Sequence, residues 1–373
     1  MAKLIANSYR FYVMIDPLIY FLGCILGILT SSLFAHRYKP IFWGLWGLFF
    51  LSILAPASAL FLVFVCLQAL VICLFFQNFE RSNVWRKYGP YVLLFNLFWV
   101  DFHKFFVGHL IETIGLSFAI IRIFMTCKQL LSSRKNLQGE FSLWIGISGF
   151  YMPALIVGPV FSGLDLRKQQ TIQSNHIKES TSFLYRNMFL GLSLSIVFAN
   201  IFNTLGLVAE ISHGVVWWAL KPVFLFLILF VTFWGQSLIA EMTSKISGYN
   251  IPQNFNAPWK ALDIKDFWQR WHMSMSNFIM QYIFLPLNIN KVSPKLATIS
   301  AFVFMGLWHN VGVGYLIWGL SHGVLMAYWP SRPEQPSKSR VYLERLVTFI
   351  LVITLSYIAN YAFVSEVVID ESL

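Results

Sequence analysis

The run SALFLVFVCLQALVICLFF, residues 58–76, carries no charge over nineteen positions. A helix of about 20 apolar residues crosses the hydrocarbon of a bilayer, so this run reads as a membrane span. Outward from it, further apolar segments fall at 17–34, 41–55, 91–100, 105–125, 141–160, 188–209, 215–240, 296–308, 311–329 and 345–364. They predict an all-α, polytopic integral membrane protein with roughly 9–11 transmembrane or re-entrant helices. Composition agrees, because only 12% of the 373 residues are charged against 57% hydrophobic and 18% aromatic. A soluble domain carries roughly 25% charged residues, and the mean hydropathy is +0.65. A soluble globule, a disordered chain and a disulfide scaffold are excluded. One membrane domain over 1–373 is expected, with N-terminal spans in 1–100, a core at about 105–329 and a C-terminal span in 341–373.

The net charge of +11 sits in short basic clusters between apolar runs. That is the pattern of cytoplasmic loops, and with no basic helix or aromatic-basic platform a nucleic-acid partner is not expected. Cys24, Cys66, Cys73 and Cys127 lie in or beside apolar runs without a C-x-x-C pair, so they read as small core residues. Lys3 and Arg10 precede the first apolar run as in a signal peptide, but no A-x-A site follows, so a retained first span is expected. The 91–104 segment ends in Asp101, His103 and Lys104 and predicts a partly immersed helix with a polar end.

Segment 141–160 contains Pro153, Gly158 and Pro159, which break a helical ladder. Lys128, Arg134 and Lys135 precede it, and Arg167 and Lys168 follow. If both clusters face the cytoplasm, the segment enters and leaves by one side, as a re-entrant hairpin whose broken backbone must be covered by protein or water. A cavity lined by residues 153–163 is the expectation. Residues 243–272, TSKISGYNIPQNFNAPWKALDIKDFWQRWH, are polar yet hold five aromatic residues between Phe255 and Trp271. An interfacial loop leading into a short helix from Asp266 is predicted. Residues 331–340, SRPEQPSKSR, read as an exposed loop.

Ionisable groups at membrane depth are costly and so mark candidate sites. In FVFMGLWHNVGVGYLIWGLSHG, residues 302–323, His309 and Asn310 interrupt an apolar run, and His322 lies between Ser321 and Gly323. Both histidines also fit a plainer reading, as buried neutral rings bonded across helices, with Gly319 and Gly323 as a small-residue packing pair. In DFWQRWHMSMS, residues 266–276, Asp266 and Arg270 are spaced to pair on one helical face, Trp268 and Trp271 could anchor an interface, and His272 follows. The one G-x-S-x-G spacing, GLSHG at 319–323, lies inside an apolar run and is not read as a nucleophile motif, and no H-E-x-x-H, P-loop or dinucleotide fingerprint is present. A desolvated histidine stays neutral and can take a proton. Without a protein nucleophile it suits direct acyl transfer to a hydroxyl. Metal binding by His272, His309 and His322 is disfavoured, since no carboxylate adjoins the last two.

The motifs GYNIPQNFNAPW (248–259), DFWQRWH (266–272) with MSMS (273–276), YIFLPL (282–287), GLWH (306–309) and WGLSHG (318–323) resemble, in order and spacing, the membrane-bound O-acyltransferase family. The bacterial branch fits best, with its alginate O-acetylation protein and its D-alanine transfer protein of teichoic acid modification. Weaker echoes are IGLSF (114–118) and PALIVGP (153–159). The resemblance implies a thin central floor and funnel, with His309 as the catalytic histidine and His272 as the second essential one. The implied supporting residues are Asn310, Trp308, Asp266, Arg270, Trp271, Asn254, Asn256 and His322.

The resemblance further implies no bound cofactor or metal. Its co-substrate would be an acyl thioester, acetyl-CoA or an acyl carrier protein, met on the cytoplasmic side of a bacterial inner membrane. An extracytoplasmic partner acyltransferase and a glycan acceptor would complete the system. His309 would activate the acceptor hydroxyl, and His272 and the Asn310 amide would stabilise charge on the carbonyl oxygen. The chain departs from the family in Asn310, where a small residue is usual, and is shorter than most polysaccharide-acetylating members. Acetyl transfer to an envelope polysaccharide or glycolipid is the leading reading. D-alanyl transfer from a carrier protein is the alternative within the class, and a non-catalytic subunit or a transporter the alternative outside it. A transporter would call for paired repeats and more intramembrane carboxylates, and neither appears.

Overall fold

The computed structural model describes residues 17–80, 83–106, 115–133, 138–170, 179–211, 215–330 and 337–370. Lys3, Arg10, Arg134, Lys135 and residues 331–336, on which some expectations rest, lie outside these. The side chains of Asp101, His103 and Lys104 do so as well. The described residues are helical, without a strand among them, as expected for a helical membrane protein. Among the described residues, three helices are long and apolar enough to cross a bilayer, over Pro56–Phe76, Leu220–Ile246 and Lys338–Ala359. Shorter apolar helices cover Pro17–Ser31, Phe141–Phe150 and Val313–Tyr328.

Packing divides the described residues into two compact units, one within 17–196 and 235–252, the other within 197–234 and 253–370. The first holds α1 (Pro17–Ser31), α2 (Lys39–Leu54), α3 (Pro56–Phe76), α4 (Val84–Tyr88), α5 (Phe95–Phe106), α6 (Leu116–Ser132), α7 (Phe141–Phe150) and α8 (Gly163–Gln169). Helices α9 (Thr181–Ile211) and α10 (Val215–Ile246) each contribute to both.

Helix α3 explains the membrane class. Leu62, Val65, Ala69 and Cys73 form its buried face. Its opposite face is equally apolar and open, with Leu60 72% and Val71 65% exposed, and Phe64 and Leu67 between them. In water that face would be polar; against lipid tails it costs nothing.

The interrupted segment after α7 is buried along its length, from Tyr151 through Leu164. Protein supplies the cover its broken backbone needs. Arg122 of α6, itself fully buried, donates from Nε to the Ser148 carbonyl at 2.9 Å and from Nη1 to the Ala154 carbonyl at 2.6 Å. The Tyr20 hydroxyl donates to the Pro153 carbonyl. The Gly163 N–H donates to Thr126 Oγ1 at 2.9 Å and to Ser148 Oγ at 3.1 Å. Instead of opening to solvent, the expected cavity wall is packed among these groups. In the same unit Tyr249, first of the motif aromatics, is buried and donates from its hydroxyl to the His36 carbonyl at 2.6 Å.

The second unit holds α11 (Ile264–Arg270), α12 (Met273–Ile279), α13 (Leu285–Ile289), α14 (Pro294–His309), α15 (Val313–Tyr328) and α16 (Lys338–Asp370). Helix α11 starts two residues before the expected Asp266, because Asp263 caps it by accepting from the Asp266 N–H at 2.8 Å. Residues Met280–Phe284 form a π-helical turn. Pro286 lacks an N–H and would press on the Tyr282 carbonyl, and the widened turn relieves that conflict. Helices α14 and α15 form a hairpin whose glycines let the backbones touch. A Cβ on Gly319 would lie 2.6 Å from the Phe302 carbonyl oxygen, and one on Gly323 2.8 Å from Ile299 Cα. The small-residue pair read from the sequence is therefore a packing contact.

Candidate active site

His272 sits between α11 and α12 with φ 44° and ψ 51°, a left-handed backbone that costs a non-glycine residue roughly 1–2 kcal/mol. Its neighbours hold it there. Asn254, fully buried, accepts from the Met273 N–H at 2.9 Å through its backbone carbonyl. Asn254 Oδ1 lies 3.2 Å from His272 Nδ1 and accepts from the Ser274 hydroxyl at 2.5 Å. Oδ1 is an acceptor, so this contact is a hydrogen bond when Nδ1 bears the proton and Nε2 carries the lone pair. Only 4% of His272 is exposed. Phe233 meets its ring edge-on at 4.8 Å, and the Trp308 ring lies 6.1 Å away. Burial, and after it the nearby His309, push its pKa down to about 3, so the imidazole is neutral.

His309 is the last residue of α14, where Asn310 turns the backbone extended at φ −166° and ψ 142°. It is exposed, so the plainer reading of a buried ring does not apply to it. Its ring lies 4.5 Å from that of Trp308, stacks on Tyr315 at 5.7 Å and meets Trp318 edge-on at 5.7 Å. Trp308, 8% exposed, thus touches both histidines. The chain brings together a buried neutral imidazole and an accessible one around a single indole.

His322 is fully buried, as the plainer reading expects, but its hydrogen bond stays within its own helix, with Nδ1 2.9 Å from the Trp318 carbonyl. Trp268 corrects an expectation: at 7% exposed it is core, packed edge-on against Trp318 and His322, and anchors no interface. Trp271 stacks on Phe226 and Phe267 and meets Phe255 edge-on.

Asp266, Arg270 and Asn256 form a brace beneath His272. Arg270 Nε meets Asp266 Oδ1 at 2.7 Å, the pairing read from their spacing. Asp266 Oδ2 also accepts from the Leu262 N–H at 3.0 Å. Asn256 contributes through its backbone, donating its N–H to the Arg270 carbonyl at 3.0 Å and accepting from Arg270 Nη1 at 3.3 Å. Its own side chain faces outward.

With its proton on Nδ1, a neutral His272 would offer Nε2 as an acceptor and not as a donor to a carbonyl oxygen. Ser274, Phe233 and Tyr315 were missed as site residues. Ser274 had a signal, standing two residues after His272, whereas Phe233 is one apolar residue among many. Among the described residues no cluster of His, Cys, Asp and Glu could hold a metal ion.

A family model described as the membrane-bound O-acyltransferase family matches residues 147–329. A peptidoglycan O-acetyltransferase of Helicobacter pylori is 27% identical over 219 residues, covering 54% of this chain and 40% of that protein. A teichoic acid D-alanyltransferase of Bacillus subtilis is 37% identical over 108 residues, 26% of this chain and 27% of that protein. A probable alginate O-acetylase of Pseudomonas syringae pv. tomato is 28% identical over 238 residues, covering 60% and 44%. The chain spans less than half the length of each of these three relatives.

Proposed function

From its kinship with the membrane-bound O-acyltransferase family, we propose that this chain is an integral membrane enzyme that moves a small acyl group from a thioester to a hydroxyl of a cell-envelope polymer. The observation that carries the reading is the pairing of accessible His309 with buried His272 about Trp308. His309 takes the proton as the acceptor oxygen attacks the thioester carbonyl. The O–C bond forms, the C–S bond breaks, and the thiolate leaves with that proton. The C-terminal end of α14 favours the transient imidazolium, since helix carbonyls there stabilise a cation by roughly 0.3–1 kcal/mol. His272 orients the hydroxyl as a hydrogen-bond acceptor, and the Asn310 amide offers a donor to the carbonyl oxygen.

Acetyl is the acyl group we favour, because two of the three relatives described are named for O-acetyl transfer. D-alanyl transfer is the second reading, on the relative named for it. The donor would be met at the cytoplasmic face of a bacterial inner membrane and the glycan at the outer face, directly or through a partner transferase.

The test compares alkali-released acyl groups from envelope glycans of cells carrying the wild type, His309→Ala or His272→Ala at equal protein levels. Acetate or D-alanine should fall in both variants. Unchanged ester content in the His309 variant would sink the assignment. Turnover of acetyl-CoA without binding to an acidic carrier protein would support acetyl; co-purification with a charged carrier would support the alternative.

A further inference from the structure

We infer that Asn254 is a positioning residue for this transfer, fixing His272 as the tautomer whose Nε2 accepts a hydrogen bond. The inference rests on His272 taking part in the reaction as proposed above. Three bonds tie Asn254 to the His272 segment across a separation of eighteen residues: Asn254 O from the Met273 N–H at 2.9 Å, and Asn254 Oδ1 from Ser274 Oγ at 2.5 Å and toward His272 Nδ1 at 3.2 Å. A carbonyl oxygen has two lone pairs, and the two side chains use both.

The clamp has little freedom to rotate. Asn254 and Ser274 are 0% and 3% exposed, so water offers no substitute partner. Two residues further out, the bond from the Asn256 N–H to the Arg270 carbonyl at 3.0 Å holds the two stretches side by side. The Asp266–Arg270 pair steadies that second tie, since Arg270 also reaches the Asn256 carbonyl. The left-handed backbone of His272 persists because these bonds over-determine it.

A neutral imidazole is either a donor or an acceptor at a given nitrogen, and the bond made by the other nitrogen decides which. An oxygen of Asn254 facing Nδ1 therefore writes the chemical role of Nε2, although Asn254 itself need touch no substrate. Leucine at 254 would fill similar space without an acceptor, and aspartate would keep one.

The experiment uses the full chain in detergent, with histidine labelled by nitrogen-15, and reads from long-range proton–nitrogen correlations which ring nitrogen of His272 bears the proton. His272→Gln identifies the signal. Wild type should be protonated on Nδ1. Asn254→Leu should move the proton to Nε2 or split the population, and should lower envelope ester content at least about tenfold, as a wrong tautomer does elsewhere. Asn254→Asp should keep the Nδ1 proton and most of the ester. A wild-type ring protonated on Nε2 overturns the inference even if no variant folds. So does Asn254→Leu with normal ester content, or Asn254→Asp failing as badly as Asn254→Leu. If His272→Ala leaves the ester unchanged, the functional reading fails while the tautomer result still stands by itself.

Discussion

The rings of His309 and Tyr315 stack with centroids 5.7 Å apart and planes inclined by 28°, across the break between α14 and α15. A histidine at a helix end, exposed on one side, needs such a surface to hold its orientation. An aromatic pair is worth about 1 kcal/mol, close to fivefold in a rate. Tyr315→Ala should therefore lower envelope ester content several-fold, and Tyr315→Phe should leave it near wild type. Equal losses in the two variants would mean that the hydroxyl, and not the ring, is what His309 requires.

Backbone contact at Gly319 makes the α14–α15 hairpin intolerant of any side chain. A Cβ there would lie 2.6 Å from the Phe302 carbonyl oxygen and 2.9 Å from Val303 Cα, both backbone atoms that move only with the helix. Gly319→Val should cost about 1–3 kcal/mol by overpacking, a drop of several degrees in the thermal midpoint of the purified protein. Gly146 of α7, with nothing within 4 Å of an added Cβ, is the control. Gly146→Ala should be neutral or slightly stabilising, since alanine is the better helix former. Similar losses at both positions would disprove the close approach.

Much of this was legible from residue type and spacing. The uncharged run at 58–76 became α3 with both faces apolar, Gly319 and Gly323 became a helix contact, and Asp266 paired with Arg270. What stayed hidden was decided by tertiary closure. Trp268 resembles an interface anchor until Trp318 and His322 are folded onto it. His309 resembles a buried ring because its flanks are apolar, yet α14 ends on it and Asn310 turns the chain away. The reach of Asn254 to His272, eighteen positions on, depends on how the intervening stretch folds back with α11 in it, which no local pattern encodes.

His272 also provides a test of backbone strain. At φ 44° a glycine is comfortable and an alanine is not. His272→Gly and His272→Ala lose the same bond to Asn254, so their difference in stability isolates the backbone. The glycine variant should be the more stable by about 1 kcal/mol, read as a higher thermal midpoint, while both lose ester-forming activity. An alanine variant as stable as the glycine variant would show that the segment relaxes to an ordinary conformation once the imidazole is gone.

Acid should destabilise the protein through two groups with different windows. His272, held neutral, has its pKa pushed down from 6.5 to about 3. Between those values the unfolded chain binds the proton first, so the contribution of His272 is present above pH 6.5 and drains away as pH falls toward 3. Glu140 is held as the anion by Arg167, with Nε at 2.6 Å and Nη2 at 2.7 Å, and secondarily by the Trp144 indole N–H at 2.7 Å. Its pKa is lowered from 4.5 to about 2, so its contribution survives above pH 4.5 and is lost below it. With its side chain 38% exposed, that contribution is about 1 kcal/mol or less. Thermal midpoints of the purified protein from pH 8 to pH 3.5 should separate the two. His272→Gln should flatten the profile between pH 6.5 and 4.5 relative to wild type, and Glu140→Gln should change it only below pH 4.5. A His272→Gln protein that keeps the full wild-type slope in the upper window would show that the buried imidazole is not what titrates there.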